Sequence, residues 1–130
     1  MPSTSSLQTI PTGTKVLVVD DHADTVDFLA RLLRKAGCAV TTATGLRDAE
    51  ARLNAGKFDV MVSDLGLADG SGIDLMRQSR QRHAIKGIAL SGSDSPEERR
   101  QCEEAGFCEH IAKPVDMPKL LQAIQRTLNS

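Results

Sequence analysis

Aromatic side chains are scarce in this chain of 130 residues, which has no tryptophan, no tyrosine and three phenylalanines. Proteins that bind single-stranded nucleic acids stack the bases on exposed aromatic rings. The formal net charge of −1 also gives the chain no general attraction for nucleic acids or anionic membranes. We therefore expect no direct binding of nucleic acid, and local charge is more informative here than total charge.

Cysteines and long apolar runs are scarce as well. Cys38, Cys102 and Cys108 are odd in number and form no C-x-x-C pair, which argues against a disulfide framework or a zinc site. No apolar run approaches the roughly 18 residues that span a bilayer. The N-terminus lacks the basic and apolar regions of a signal peptide. These absences predict a cytoplasmic domain that makes no membrane contact through this segment.

The chain divides into a short leader and one domain. Residues 1–14 carry no charge and are rich in Ser, Thr and Pro, which predicts a flexible leader or linker before a domain over residues 15–129. From residue 15 onward, short β-branched runs alternate with segments of helical period, a pattern typical of an α/β fold with a parallel sheet covered by helices. The predicted strands are residues 15–19, 39–43, 59–63, 87–91 and 107–111.

Local signals mark where the strands and helices lie. The first, third and fourth strands are nearly continuous apolar runs, which predicts central positions, and the other two are expected at the edges. Ser95 predicts the N-cap of the fourth helix, with Pro96 at its first position and Glu98 completing a capping box. Gly37 and Gly56 are predicted to end the first two helices.

Polar side chains follow four of the predicted strands. Asp20 and Asp21 follow the first strand and Asp64 the third, while Ser91 ends the fourth and Lys113 lies just past the fifth. Because the carboxyl ends of parallel strands share one edge of a sheet, these side chains are expected to lie close together, where ligands of open α/β sheets bind.

Grouped carboxylates need a positive partner. Two of them about 5 Å apart repel by roughly 3 kcal/mol at an effective dielectric constant near 20. Oxygen-only ligands in a shallow site that retains water suit Mg²⁺. Taken singly, an Asp after a strand is more often a helix N-cap, Lys113 a solvated side chain and Ser91 a turn residue. Their joint placement on four strand ends favours a magnesium site instead.

The motifs "VLVVDD", "VMVSDLGLADGSGIDLM", "IALSG" and "IAKPVD", at these separations, make the chain resemble the receiver domains of two-component signalling. The resemblance covers about residues 15–128. It implies a flavodoxin-like (βα)5 fold with a five-stranded parallel sheet in the order 2-1-3-4-5 and helices on both faces. It also implies a phosphoryl-accepting signalling domain rather than an enzyme.

The resemblance assigns a role to each residue at the sheet edge. Asp64 resembles the phosphoacceptor. Asp21 resembles the direct Mg²⁺ ligand, Asp20 the acid that holds the ion through water, and the main-chain carbonyl of Gly66 the remaining ligand. Asp64 would also contact the metal, so that the expected metal site consists of Asp20, Asp21, Asp64 and Gly66.

The remaining matches concern charge and switching. Ser91 matches the hydroxyl that bonds the phosphoryl group, and Lys113 matches the ammonium that neutralises it. Pro114 matches a cis peptide of the family. The family's switch aromatic would stand at position 110, where this chain has His110. We expect either that His110 takes the switch role together with Ser91 or that it is an ordinary strand histidine and switching is muted.

The expected phosphodonor is a phosphohistidine on a histidine kinase or a histidine phosphotransfer domain. The sequences of the motifs favour the C-terminal receiver of a hybrid histidine kinase over a single-domain response regulator. A receiver-fold interaction module with muted switching stays open. A Mg²⁺-dependent phosphatase of the haloacid dehalogenase type would need D-x-D after the first strand, and His22 stands there instead. A nucleotide-binding module would need a glycine-rich loop at that point, which is absent.

Overall fold

The structure is a computed structural model and describes residues 10–93 and 95–129. Strands and helices alternate along most of this range. In chain order the elements are β1 (Lys15–Val19), α1 (Ala23–Lys35), β2 (Ala39–Ala43), α2 (Leu46–Ala55), β3 (Val60–Asp64), β4 (Gly66–Leu67), β5 (Gly70–Ser71), α3 (Gly72–His83), β6 (Lys86–Ser91), α4 (Pro96–Ala105), β7 (Phe107–Ala112) and α5 (Met117–Asn129).

One parallel sheet organises the molecule, with the strand order β2-β1-β3-β6-β7. Counted among these five strands alone the order is 2-1-3-4-5, so the predicted flavodoxin-like fold is confirmed. The central strands β1, β3 and β6 are almost entirely buried, and the edge strands β2 and β7 are mixed, as their sequences predicted. The short strands β4 and β5 form a separate antiparallel pair that the sequence pattern did not predict.

Helices bury apolar side chains on both faces of the sheet. On one face, Leu33 of α1 and Ile124 of α5 pack into a single apolar cluster with the strands. On the other face, Leu53 of α2, Leu75 of α3 and Cys102 of α4 form a second cluster. Covering both faces explains why the central strands carry continuous apolar runs rather than alternating ones. In the range that the structure describes, no helix has the length and apolar character of a membrane span.

The folded part begins before the expected boundary. Residues 1–9 of the predicted leader lie outside the described residues. Within the rest of it, Ile10 is 5% exposed and belongs to the apolar cluster against α1 and α5. The Gly13 amide donates to the Gly37 carbonyl at 2.7 Å, and the Thr14 hydroxyl donates to the Pro11 carbonyl at 2.6 Å. Residues 10–14 are therefore part of the domain, because Ile10 buries apolar surface that a linker would leave in water.

The helix ends are built largely as the sequence indicated. Gly37 adopts a left-handed conformation just past the C-cap of α1, with φ of +100°. The Ser95 side chain accepts a hydrogen bond from the Glu98 amide and caps α4, with Pro96 in its first turn. The second half of the predicted capping box is wrong. The Glu98 carboxylate does not accept a hydrogen bond from the Ser95 amide and instead lies against Ser91 and His110.

Candidate functional site

The predicted site residues converge at the carboxyl edge of the sheet. Asp20 follows β1, Asp64 ends β3, and Ser91 ends β6, three strands that are neighbours or next neighbours in the sheet. Lys113, past the end of β7, is joined to β6 because its amide donates to the Ser91 carbonyl at 2.7 Å. The strand order reverses between β2-β1 and β3, which is where open α/β sheets bind ligands.

Three carboxylates and one imidazole form the acidic cluster, which we define as Asp20, Asp21, His22 and Asp64. One ligand atom of each lies within 4.8 Å of the corresponding atoms of the others. Asp20 is fully buried and Asp64 is 7% exposed, whereas His22 is exposed. Buried carboxylates at this separation repel strongly, so the cluster requires neighbouring positive charge.

Lys113 supplies part of that charge. Its Nζ lies 3.1 Å from Oδ2 of Asp64 and 3.3 Å from Oδ2 of Asp20, so that one ammonium group bridges two strand ends. Burial acts to lower the pKa of Lys113, but the hydrogen bonds and charges of Asp64 and Asp20 outweigh it and raise that pKa above its ordinary value. Lys113 therefore stays protonated between the two carboxylates at neutral pH.

His22 is a further member of the site that the sequence reasoning did not assign to it. Its Nδ1 lies 2.9 Å from Oδ1 of Asp20 and 3.2 Å from Oδ1 of Asp21. The hydrogen bond to Asp20, followed by the charges of Asp20 and Asp21, raises the pKa of His22 above its ordinary value. The only signal in the sequence was its position directly after the two acids.

The donor set fits a divalent metal. Oδ1 of Asp21 is buried and has no hydrogen-bond partner among residues 10–93 and 95–129, although Nδ1 of His22 lies 3.2 Å away. An ionised oxygen left without a hydrogen bond beside two other carboxylates is well suited to bind a cation. Gly66 lies in β4, two residues past Asp64, and is exposed.

The acids do not act as helix caps. The N-cap of α1 is His22, and no side chain makes a capping hydrogen bond there. Asp20 accepts instead from the amide of His22 at 2.9 Å, in a tight turn at the end of β1. Asp20 and Asp21 are therefore not N-caps of α1 in this structure.

Gly72 lets the start of α3 pack closely against the backbone of Asp64. The Gly72 amide donates to the Leu65 carbonyl at 2.8 Å, which draws the start of α3 against the end of β3. A Cβ atom at Gly72 would lie 2.2 Å from the Asp64 carbonyl oxygen. No side chain fits in that space, so Gly72 fixes how closely α3 approaches the Asp64 backbone.

Ser91 and His110 meet at a third residue, Glu98. The Ser91 hydroxyl donates to Oε1 of Glu98 at 2.5 Å, and Nε2 of His110 lies 3.3 Å from the same oxygen. The His110 side chain is 8% exposed, so most of the ring lies inside the structure. Sequence reasoning missed this role of Glu98, because the capping box already accounted for a glutamate at that position. The Lys113–Pro114 peptide is cis, as expected.

Comparison with known proteins identifies the family. A family model of the response regulator receiver domain matches residues 16–125. Among curated proteins, the Sensory/regulatory protein RpfC of Xanthomonas campestris is 33% identical over 115 residues. That match covers 85% of this chain but only 16% of RpfC, so the chain is similar to a small part of that protein.

Solved structures give the same result. The chemotaxis protein CheY4 of Vibrio cholerae matches with a TM-score of 0.86 at 28% identity, and the match covers 90% of this chain and all of that one. A response regulator from Burkholderia pseudomallei, solved with a phosphorylated aspartic acid, a calcium ion and citrate, matches with a TM-score of 0.82 at 28% identity. That match covers 89% of this chain and 69% of the other.

Proposed function

Since this chain belongs to the response regulator receiver domain family, we propose that it accepts a phosphoryl group on Asp64 from the phosphohistidine of a histidine kinase or phosphotransfer domain. The transfer depends on Mg²⁺ and drives a conformational switch. The observation that carries this proposal is the bridging of Asp20 and Asp64 by Lys113 inside the acidic cluster. A site for phosphoryl transfer needs both an oxygen nucleophile and fixed positive charge beside it.

The chain's own residues would hold the metal. The proposed donors are the carboxylates of Asp20, Asp21 and Asp64 and the carbonyl of Gly66. Oδ1 of Asp21, which has no hydrogen-bond partner among the described residues, supports this assignment. Bound Mg²⁺ supplies positive charge that neutralises the phosphoryl oxygens during transfer. The phosphorylated aspartic acid and cation of the Burkholderia pseudomallei structure support the same reading by analogy.

The proposed step is an in-line displacement at phosphorus. A carboxylate oxygen of Asp64 forms the new O–P bond, the N–P bond of the phosphohistidine breaks, and its electron pair returns to the imidazole nitrogen. Lys113, kept protonated by its two carboxylate partners, stabilises charge on the transferred group. Water later cleaves the acyl phosphate, which releases inorganic phosphate and restores the Asp64 carboxylate.

An apolar surface beside the site supports a protein phosphodonor. Phe28 of α1 is 54% exposed and is the one large hydrophobic side chain described as exposed within residues 10–93 and 95–129. With Leu29, Pro114 and Val115 it lines a groove of about 340 Å³ that Lys113 also borders. We propose that a helix of the phosphodonor lies in this groove, because the groove leads directly to Lys113 and hence to Asp64.

The groove proposal separates two kinds of donor. Phe28→Ala is expected to slow phosphoryl transfer from a phosphohistidine protein at least about tenfold, since it removes an exposed apolar anchor. Phosphorylation by acetyl phosphate, which needs no docking surface, should be unchanged. Equal transfer rates for wild type and Phe28→Ala with the protein donor would contradict the proposal that the donor binds in this groove.

The domain context is a further proposal. The match covers 16% of RpfC but the whole of the CheY4 chain, so similar proteins include both a much longer protein and one of about this length. We favour a receiver within a hybrid histidine kinase, because of the sequence of the segment from Asp64 to Met76. The sequence of the complete gene distinguishes the two.

Beryllofluoride, a mimic of the phosphoryl group, tests the proposed function. Fluorine NMR of the protein with beryllofluoride and Mg²⁺ should show bound fluoride resonances for wild type and none for Asp64→Ala. Omitting Mg²⁺ should remove them as well. Bound resonances that persist in Asp64→Ala would show that the site lies elsewhere. A receiver fold that only mediates interactions is the second candidate, favoured by His110 at the switch position, and it would bind no beryllofluoride.

A further inference from the structure

Glu98 connects Ser91 and His110, the two residues that the family resemblance assigns to switching. It lies in the first turn of α4, while Ser91 ends β6 and His110 lies in β7. Ser91 is 4% exposed, and the side chains of His110 and Glu98 are 8% and 25% exposed. Oε1 of Glu98 is within hydrogen-bond distance of both the Ser91 hydroxyl and Nε2 of His110. Three elements therefore meet at one carboxylate oxygen.

The direction of each hydrogen bond follows from the atoms. An ionised carboxylate can only accept, so the Ser91 hydroxyl donates its hydrogen to Glu98. The same Ser91 oxygen accepts from the Ser93 amide at 3.0 Å. In this arrangement the hydroxyl has no hydrogen left for a phosphoryl group on Asp64, unless it leaves Glu98.

The same reasoning fixes the hydrogen on His110. Nε2 must carry it in order to bond Glu98. Nδ1 of His110 is buried and has no hydrogen-bond partner within the described residues, so a hydrogen at Nδ1 would be a buried donor left unpaired. The geometry therefore places a hydrogen on Nε2, where it reaches the Glu98 carboxylate. The imidazole and the serine hydroxyl then share one acceptor.

We propose that Glu98 is a positioning residue that couples the phosphorylation site to β7. In the resting state its carboxylate holds the Ser91 hydroxyl and the His110 ring together. When Asp64 gains a phosphoryl group, the hydroxyl turns to the new oxygens and Glu98 is left to His110 alone. The inference rests on the proposed function, since it requires a phosphoryl group at Asp64.

This role predicts a competition for one hydroxyl group. A phosphoryl group carries about −1.5 to −2 charges near neutral pH and attracts the Ser91 hydrogen, while the charged Glu98 opposes its departure. Glu98→Gln keeps the shape of the side chain but leaves a neutral acceptor, which holds a hydroxyl less strongly. The variant is therefore expected to bind beryllofluoride about tenfold more tightly than wild type.

The control is Glu97→Gln, the same chemical change in the same turn of α4, at a neighbouring exposed position. Because a general effect of charge on α4 would appear in both variants, Glu97→Gln reports that effect alone, and we expect its affinity for beryllofluoride to equal that of wild type. In a Ser91→Ala background, Glu98→Gln should no longer change the affinity, because the hydroxyl for which the two acceptors compete is gone.

A second readout follows the His110 ring itself. Nitrogen-15 NMR of the imidazole should show hydrogen on Nε2 in resting wild type, and its resonance should move when beryllofluoride binds. The movement should fall by at least about half in Glu98→Gln and stay at the wild-type size in Glu97→Gln. A merely structural role of Glu98 would leave both the affinity and this response unchanged.

The outcomes separate this inference from the function on which it rests. Beryllofluoride binding by wild type, together with equal affinity and an equal His110 response in Glu98→Gln, would overturn the coupling role and leave the phosphoacceptor proposal intact. A wild type that binds no beryllofluoride would overturn both. Tighter binding in Glu98→Gln alone, abolished by Ser91→Ala, is the result we expect.

Discussion

Neutralising Asp21 should make the metal-free protein more stable. Its oxygen Oδ1 has no hydrogen-bond partner in the part of the chain that the structure describes, and the ligand atoms of the acidic cluster lie within 4.8 Å of one another. Lys113 pairs with Asp20 and Asp64 but not with Asp21. Asp21→Asn therefore removes repulsion without breaking an ion pair with Lys113.

The size of this effect follows from the separation. At 4.8 Å and an effective dielectric constant near 20, each pair of like charges repels by about 3 kcal/mol. The Asp21 side chain is 23% exposed and lies beside His22, so solvent and the imidazole offset much of this repulsion. We expect a net gain of about 1–2 kcal/mol in the free energy of unfolding, which corresponds to a rise in Tm of about 5 °C for a domain of this size.

Thermal unfolding followed by circular dichroism, with EDTA or with Mg²⁺, provides the assay. Wild type should gain about 1.4 kcal/mol from Mg²⁺ at ten times its Kd, while Asp21→Asn should gain little. Asp27→Asn, the same change at an exposed position of α1, is the control and should follow wild type in both conditions. A lower Tm for Asp21→Asn in EDTA, or an undiminished gain from Mg²⁺, would refute the reasoning.

Three further predictions concern Gly72, Asp69 and Cys102. Gly72→Ala should lower the free energy of unfolding by about 1–3 kcal/mol in urea titrations, because its Cβ would meet the Asp64 carbonyl oxygen. Asp69 accepts from two amides at the start of α2, and these bonds lower its pKa. Its stabilising effect is present above the unfolded pKa and lost as the pH falls through the lowered folded pKa, so Asp69→Asn should lower Tm at pH 7 and have a diminishing effect as the pH falls below the ordinary pKa of an aspartate. Burial, followed by the charges of nearby carboxylates, raises the pKa of Cys102 to about 11. At pH 8, iodoacetamide should therefore modify the exposed Cys108 at least about tenfold faster than the buried Cys102, as measured by mass spectrometry. The labelling rate of Cys102 should keep rising toward pH 11. Equal labelling rates, or a Tm difference for Asp69→Asn that is unchanged by acid, would contradict these assignments.

The sequence was sufficient for the sheet and for the residues at its edge. Continuous apolar runs in β1, β3 and β6 signal strands buried on both faces. Once the strands are parallel, the residues that follow them must share one edge. Asp20, Asp64 and Lys113 could be placed together for that reason alone, without knowledge of any side-chain conformation.

Side-chain partners across the fold were harder to predict. Glu98 stands at a position that satisfies a local capping rule, but its carboxylate meets Ser91 and His110, which approach it only through β6 and β7. Ile10 follows a stretch rich in Ser and Thr, and only tertiary packing buries it. Local patterns describe neighbours along the chain, whereas these contacts depend on the finished fold.

The central claim is that Asp64 accepts a phosphoryl group beside Lys113 and the acidic cluster. Intact-mass spectrometry after incubation with acetyl phosphate and Mg²⁺, followed by peptide mapping, tests it most directly. We predict the addition of one phosphoryl group, located on Asp64, which EDTA prevents and Asp64→Asn abolishes. A protein that stays unmodified under these conditions, or one that carries the group on another residue, would contradict the account.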